Sequence, residues 1–322
     1  VFDLVNYRQH TYPISAIFSH KENNRWKEIS NLDFQKKVDE ISKGLIALGV
    51  QPDDKIGIVS ENRIEWSLID FAIQQIGAVV VALYPNISDN DYSYIFNHAE
   101  IKLAIISSKT LYERINQLRP SIPQLQHTFI LDEGTLYPNW GMILQTGKVI
   151  SDKELASRKS AVKNEDIATI IYTSGTTGSP KGVMLTHKNL LADMMSSEYS
   201  FPVTAYDRAL SFLPVCHAYE RLFHYVYMYK GLTIYYAQSM ETIGADMKEV
   251  KPHIFSAVPR VLEKVYDKIM ANGNSLTGIK HKLFFWAIGL GEKYDLDESK
   301  RTWGYNLQLA IARKLIFSKW QE

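Results

Sequence analysis

Between Ile171 and Gly182 the chain reads Ile-Tyr-Thr-Ser-Gly-Thr-Thr-Gly-Ser-Pro-Lys-Gly. Thr173, Ser174, Thr176, Thr177 and Ser179 place five hydroxyls in seven positions, and Lys181 adds a full positive charge. Gly175, Gly178 and Gly182 let the backbone turn tightly and come close to a ligand. Exposed N–H groups in such a loop form an anion-binding concavity. Many donors, one cation and no carboxylate suit a triphosphate, so the stretch from Thr173 through Pro180 to Lys181 is the candidate binding segment. The spacing is not that of a Walker A loop, which needs Gly-x4-Gly-Lys-Ser/Thr; five residues after Gly175 stands Pro180. Nor is it Gly-x-Gly-x-x-Gly. The plainer alternative is a polar hairpin or a flexible loop.

Three other features invite chemistry. His217 follows a strand ended by Pro214. An imidazole N–H can donate a hydrogen bond to a carboxylate, and a packed or capping histidine is the competing role. Cys216, the single cysteine, excludes an intrachain disulfide and reads as a small core residue in a reducing cytosol. Tyr219, Phe223, Tyr227 and Tyr235 read as a core stripe, with an acyl-tunnel lining as the alternative. Arg260, after Pro259, reads as an ion-pair residue.

The elements around these residues alternate. Short apolar runs at 55–60, 79–83, 103–106 and 128–131 predict strands. Segments 64–76, 89–98 and 111–118 predict helices. After a polar connection over 132–164 the alternation resumes. Strands are expected at 166–172, 209–213, 232–237 and 253–258, with helices at 188–196, 218–229, 243–250 and 259–271. Continuous apolar strands separated by helices predict an α/β fold with mostly parallel sheet covered on both faces. The polar connection suggests two subdomains, 1–160 and 161–322.

Of the 322 residues, 46% are hydrophobic and 22% charged, and 36 Lys+Arg against 35 Asp+Glu leave a net charge of +1. That balance gives no bulk attraction to nucleic acid or to an anionic membrane. The opening residues lack the apolar core of a signal peptide, and the most apolar stretch, Ile76 to Tyr84, is too short to span a bilayer. A cytoplasmic location is expected. A peripheral contact at the inner membrane surface stays open through residues 303–320, where Leu307, Ala310, Ile311 and Leu315 share a face. Packing of that helix on further parts of the enzyme is the favoured reading.

The segment 172–182 resembles the signature loop of the adenylate-forming superfamily, which includes acyl-CoA synthetases, luciferases and peptide-synthetase adenylation domains. Residues 48–58, 62–66, 81–85, 213–221 and 258–266 are similar to the long-chain fatty-acid branch, and 281–319 looks like an insertion typical of it. The resemblance implies a layered αβαβα N-terminal domain with two mostly parallel sheets covered by helices. It implies that ATP and a long-chain fatty acid give acyl-AMP and diphosphate, and that CoA then takes the acyl group. Residues 173–181 would hold ATP, Lys181 would stabilise phosphate charge, Thr173 would help ligate Mg²⁺, and His217 would lie near the acyl carboxyl. Burial explains a long-chain preference. Each methylene is worth roughly 0.8 kcal/mol, so ten carbons offer on the order of 8 kcal/mol before ordering costs.

The chain also departs from that pattern. No match to the family's later Tyr-Gly-x-Thr-Glu segment, ribose-binding Asp or C-terminal lysine precedes Glu322. The fold is thus expected to be incomplete at the C-terminus, with the C-terminal catalytic domain absent. Two rivals remain: a ligase that loads the acyl group onto a carrier protein, and a non-catalytic nucleotide-binding module. Purified 1–322 is predicted to form no acyl-CoA from ATP, fatty acid and CoA, and thioester formation free of full-length contaminant would refute this.

Overall fold

Each apolar run of the first two-thirds of the chain becomes a strand, and most of the periodic segments between them become helices. The computed structural model describes residues 1–13, 16–134, 136–173 and 178–318. The expectations for Ser174, Gly175, Thr176 and Thr177 therefore lie outside the described residues. The chain divides into two units, 1–256 and 257–322.

The first unit opens with α1 (Leu4–Thr11) and an antiparallel pair, β1 (Ala16–Glu22) and β2 (Arg25–Ser30). Asn23 and Asn24 turn the pair at φ 49° and 59°, a region asparagine tolerates. Ser30 caps α2 (Asn31–Ala47) by accepting from the Asp33 N–H at 3.1 Å. Then come β3 (Lys55–Val59), α3 (Ile64–Gln74), β4 (Val79–Leu83), α4 (Asp89–His98), β5 (Ile101–Ile106), α5 (Lys109–Gln117) and β6 (His127–Ile130). The expected polar connection carries two short helices, α6 (Gly141–Thr146) and α7 (Asp152–Ala161). In α7 Leu155 alone is buried, which is why no amphipathic period shows in its sequence. The unit continues with β7 (Ile167–Thr173), β8 (Lys181–Thr186), α8 (His187–Ser197), β9 (Arg208–Ser211), α9 (Ala218–Tyr229), β10 (Thr233–Tyr236), α10 (Ile243–Val250) and β11 (Ile254–Phe255).

Two sheets result. One has strand order β6-β5-β3-β4-β7-β8, and the other β11-β9-β10-β1-β2. Pairing is parallel except at one edge of each, where β8 and β2 run antiparallel to their neighbours. Each sheet takes strands from both sides of residue 160, because β7 pairs with β4 and β10 with β1. The expected boundary there has no counterpart in the strand pairing: the sequence shows composition shifts, whereas sheet partners are chosen by burial at long range.

Side chains alternate across the first sheet. Val79, Val81 and Leu83 of β4 pack with Tyr92, Phe96 and Ile115 of α4 and α5, while Val80 and Ala82 face the larger core with Ile69, Ile73 and Phe71 of α3. Helix α3 is buried around its whole circumference, as a helix between two sheets must be. Its Ser67 bonds the Tyr236 hydroxyl of β10 at 2.7 Å. Helix α9 also meets both sheets: Arg221 donates to Thr169 Oγ1 of β7 at 2.7 Å, and His224 bonds Ser211 Oγ of β9 at 2.9 Å. The layering is thus helix, sheet, helix, sheet, helix, as expected.

The second unit contains α11 (Pro259–Asn274), α12 (Gly278–Glu292) and α13 (Trp303–Ala312), followed by a π-turn over Arg313–Phe317. Its small core joins Ala287, Leu290 and Ala312, with Trp286, Tyr305 and Phe317 against them. Tyr305 donates to the Leu290 carbonyl at 2.7 Å. The face of α13 that buries within the unit is Leu309 and Ala312; Leu307, Ile311 and Leu315, expected to pack on further parts of the protein, stand about half exposed. Arg260 pairs with Glu263 one turn on, at 3.2 Å, and both are exposed.

The centre of the first unit holds an ion pair. Arg221, fully buried, pairs with Asp70 of α3, donates through Nε to Tyr225 Oη at 2.8 Å, and lies 5.3 Å from the Trp66 ring centre. Tyr225 donates onward to Asp70 at 3.0 Å. Removing one partner strands a buried charge, which costs about 3–5 kcal/mol, whereas replacing both by apolar groups is often near neutral. Arg221→Ala should therefore lower urea-unfolding stability by about that amount, and Arg221→Met with Asp70→Leu should recover most of it. Equal losses in the single and double variants would show that the charge pair is not what matters.

Candidate active site

Strand β7 lies next to the edge of the first sheet and β8 returns beside it as that edge, with Thr173 opposite Lys181 in the pairing. The hydroxyl-rich segment therefore closes an antiparallel hairpin at the carboxyl end of a parallel sheet. Ligands of open α/β sheets gather at that end, because strand ends and loops there leave a crevice. The hairpin, one of the alternatives set out from sequence, is formed by β7 and β8, and residues 174–177 between them lie outside the described residues.

Thr173, Ser179 and Lys181 are exposed, and Pro180 is half-buried. Gly178 has φ +99° with open space around its α-carbon, a conformation that glycine adopts freely. Gly182 serves a different end: a β-carbon there would lie 2.9 Å from Ile170 and 3.1 Å from the Tyr172 ring. The close crossing keeps the hairpin stem flat against Tyr172. Tyr172 is held in turn by His98, whose Nδ1 is 2.7 Å from its hydroxyl, and burial pushes its pKa up to about 12. Among the described residues no hydrogen bond or ion pair engages the Lys181 ammonium.

Beside the loop lies a cleft of about 360 Å³, lined by Ala82, Tyr84, Asp91, Tyr172, Thr173 and Pro180 among others. Tyr84 joins it to the second candidate residue, since its ring is edge-on to His217 at 6.4 Å. His217 is exposed and caps α9, its Nδ1 accepting from the Tyr219 N–H at 3.2 Å. The capping role is thus realised, and it turns the other face of the ring toward Tyr84. The segment that carries His217 is tied down by Asn62, which donates to the Leu213 carbonyl at 2.6 Å and accepts from the Val215 N–H at 2.9 Å.

Asn62, Tyr84, His98 and Arg221 were not singled out from sequence as site residues. Arg221 matters most, because it grips Thr169, four residues before Thr173, from the helix that His217 begins. Such a residue carries no local signal; only the fold brings α9 across β7. Of the aromatic stripe, Phe223, Tyr227 and Tyr235 are buried and Tyr219 is exposed. Phe223 is edge-on to Tyr219 at 4.7 Å and stacks on Tyr227 at 5.8 Å, whereas Tyr235 packs on Trp26, apart from them. Cys216 is buried and its thiol is pushed up to about 12 by that burial, which leaves no thiolate for nucleophilic work.

Thr173, expected to help ligate Mg²⁺, is exposed and lines the cleft. Among the described residues no group of three His, Cys, Asp or Glu stands where a metal could be held. Mg²⁺ is usually held by carboxylates together with substrate phosphates. The described residues do not by themselves make such a site, and no step is derived through the ion.

Comparison with known proteins agrees with this geometry. The model of the AMP-binding enzyme family matches residues 7–302, so the chain belongs to that family of AMP-binding enzymes. Among curated relatives, it is 27% identical over 320 residues to the human long-chain-fatty-acid–CoA ligase ACSBG2, covering 96% of this chain and 47% of that protein. It is 29% identical to the Mycobacterium tuberculosis ligase FadD15, covering 95% and 51%. It is 32% identical to long-chain-fatty-acid–CoA ligase 1 of Cavia porcellus, covering 89% and 43%. The chain thus spans about half the length of the curated relatives it matches. Among solved structures, FadD1 of Archaeoglobus fulgidus superposes with TM-score 0.71 at 19% identity, over 84% of this chain and 54% of that one. The N-terminal domain of FACL13 from Mycobacterium tuberculosis gives 0.67 at 19%, over 81% and 63%. These likenesses establish the N-terminal fold of adenylate-forming enzymes. No helix among the described residues is long and apolar enough to cross a membrane.

His187, directly after β8, offers a pH test of this region. It is buried against the edge of Phe2, with no hydrogen-bond partner for either ring nitrogen among the described residues. Burial holds its pKa down near 4; the Val1 amine and Arg221 act the same way, and Asp166 opposes them. The folded imidazole stays neutral where the unfolded one, near 6.5, takes a proton. Stability is therefore full above pH 6.5 and falls as pH drops toward 4, by on the order of 3 kcal/mol in all. His187→Leu should flatten the slope of unfolding free energy between pH 6.5 and 4.5. An unchanged slope would place the proton uptake elsewhere.

Proposed function

We propose that this chain supplies the ATP and fatty-acid side of a long-chain-fatty-acid–CoA ligase, which joins a fatty acid to CoA through acyl-AMP. The supporting observation is the hairpin at the carboxyl end of the first sheet, where Thr173, Gly178, Ser179 and Lys181 are exposed and Lys181 has no hydrogen bond or ion pair among the described residues. Relatives that carry the long-chain ligase name over most of this chain's length add to it. A carboxylate is a poor acyl donor because its leaving group would be oxide, and AMP is a good leaving group. Catalysis of the first step is mainly positioning and charge stabilisation at the reacting phosphorus.

In this reading, residues 173–181 hold the ATP phosphates and the Lys181 ammonium offsets charge on them. Thr173 lines the same cleft, and its hydroxyl would help ligate Mg²⁺ there. His217, capped in place and beside Tyr84, offers its remaining ring nitrogen to the acyl carboxylate. The long-chain acid, ATP and CoA are the proposed substrates, and the location is cytoplasmic with peripheral membrane contact open. The carrier-loading and non-catalytic readings are supported by no particular contact.

Calorimetric titration of purified 1–322 with ATP tests the loop. Lys181→Ala should weaken binding by about tenfold or more, since a hydrogen bond to a charged group contributes about 1.5–3 kcal/mol. His217→Ala should leave ATP affinity within about twofold and instead raise KM for fatty acid in the complete enzyme. ATP affinity indifferent to Lys181 would remove the basis of this reading.

A further inference from the structure

The second unit carries a feature that the loop chemistry does not use. Arg301, Asn306, Arg313 and Lys314 line a cavity of about 560 Å³ together with Leu309 and Glu298. The Arg301 side chain is only 7% exposed, and its Nε has no hydrogen-bond partner among the described residues. A guanidinium is always charged and carries five N–H donors, so leaving one unmet in a buried position is costly. The Tyr294 ring lies 5.0 Å from its central carbon and backs it from one side. Its ion-pair partner is Glu298, at 3.0 Å, but that carboxylate is 88% exposed and hydrated. An exposed carboxylate offsets a buried cation weakly.

The balance of charge on the cavity wall is three cations against that one carboxylate. Arg313 and Lys314 open the π-turn that ends α13. A π-turn widens the helix by one residue per turn and occurs chiefly at functional sites. Here it sets two consecutive basic residues on the cavity wall that Arg301 also lines. A planar fork beside two further cations matches the geometry of a tetrahedral oxyanion better than that of a single carboxylate.

We propose that this cavity is an anion site for a phosphate group, distinct from the loop at 173–181. Arg301 supplies the buried donor, Arg313 and Lys314 supply the charge at its mouth, and Asn306 supplies a neutral contact. A soluble phosphate ester and a phospholipid headgroup are the two sources of such a group, and both present the same tetrahedral dianion or monoanion to the cavity. The inference does not depend on the ligase reading, because it uses no residue of the loop.

The test uses the 1–322 chain with Lys181→Ala as the parent, so that the loop contributes little phosphate binding. Inorganic phosphate is titrated by calorimetry in phosphate-free, sulfate-free buffer. Arg313→Gln with Lys314→Gln should weaken phosphate about tenfold or more, and rising salt should weaken the parent more than the variant. Arg301→Gln should do the same; because it is buried and could unfold the unit, the exposed double variant carries the conclusion. Co-sedimentation with phosphatidylcholine vesicles, with and without phosphatidic acid, separates the sources. Sedimentation that needs phosphatidic acid and is lost in the double variant assigns a lipid headgroup. Phosphate binding lost in the variant, with no sedimentation in either protein, assigns a soluble ester. Equal phosphate binding in parent and double variant, or none in the parent, overturns the proposal.

Discussion

Arg221 is the point where the first unit could have failed and did not. A guanidinium between two sheets loses its hydration entirely, and that loss is tolerable only when each nitrogen finds a partner. Asp70, Tyr225 and Thr169 supply those partners from α3, α9 and β7. The consequence is geometric as well as energetic. Thr169 also donates to the Val80 carbonyl at 2.8 Å, so the same hydroxyl locks β7 to β4 and to α9. The strand that delivers the loop and the helix that delivers His217 are thereby held in one register. Apolar packing alone would resist separation of these elements but would resist sliding far less, because it is not directional.

From that anchor outward, each layer has a narrower task. The branched residues of β3, β4 and β5 face helices on both sides, which makes the sheet a rigid platform. The loop stands at its carboxyl end, where polar backbone can meet a ligand without being buried. Gly182 permits a tight crossing over Tyr172, and Asn62 holds the backbone between Leu213 and Val215. The stem of the hairpin is thus left with little freedom. Preorganisation of this kind lowers the cost of aligning charge in the transition state.

The second unit is built on a different logic. Its helices bury few residues, and Leu262, Val265, Ile279, Leu296 and Trp303 remain largely exposed. Helices with so small a core draw stability from neighbours, and apolar exposure on this scale marks a surface made to be covered. The two apolar faces of α13 divide accordingly. Leu307, Ile311 and Leu315 form the more obvious apolar stripe, yet Leu309 and Ala312 are the residues that fit against Ala287 and Leu290. Small residues allow close approach of two helices, and periodicity alone does not say which of two apolar faces will be chosen.

The sequence by itself determined what is local. Apolar runs bounded by Pro and Gly gave the strands and the helices between them, because backbone pattern and side-chain period act over a few residues. The hydroxyls, glycines and lysine of 172–182 mark the candidate phosphate loop, since the chemistry it offers is written in residue types rather than in distant contacts. Only the tertiary structure decided what is long-range. The N-terminal hairpin joined the second sheet, β7 crossed the expected boundary at residue 160, and Arg221 reached Thr169 from 52 positions away in the chain. Those choices are made by total burial and by the pairing of charges in a low-dielectric interior, and neither quantity is visible until the chain has folded.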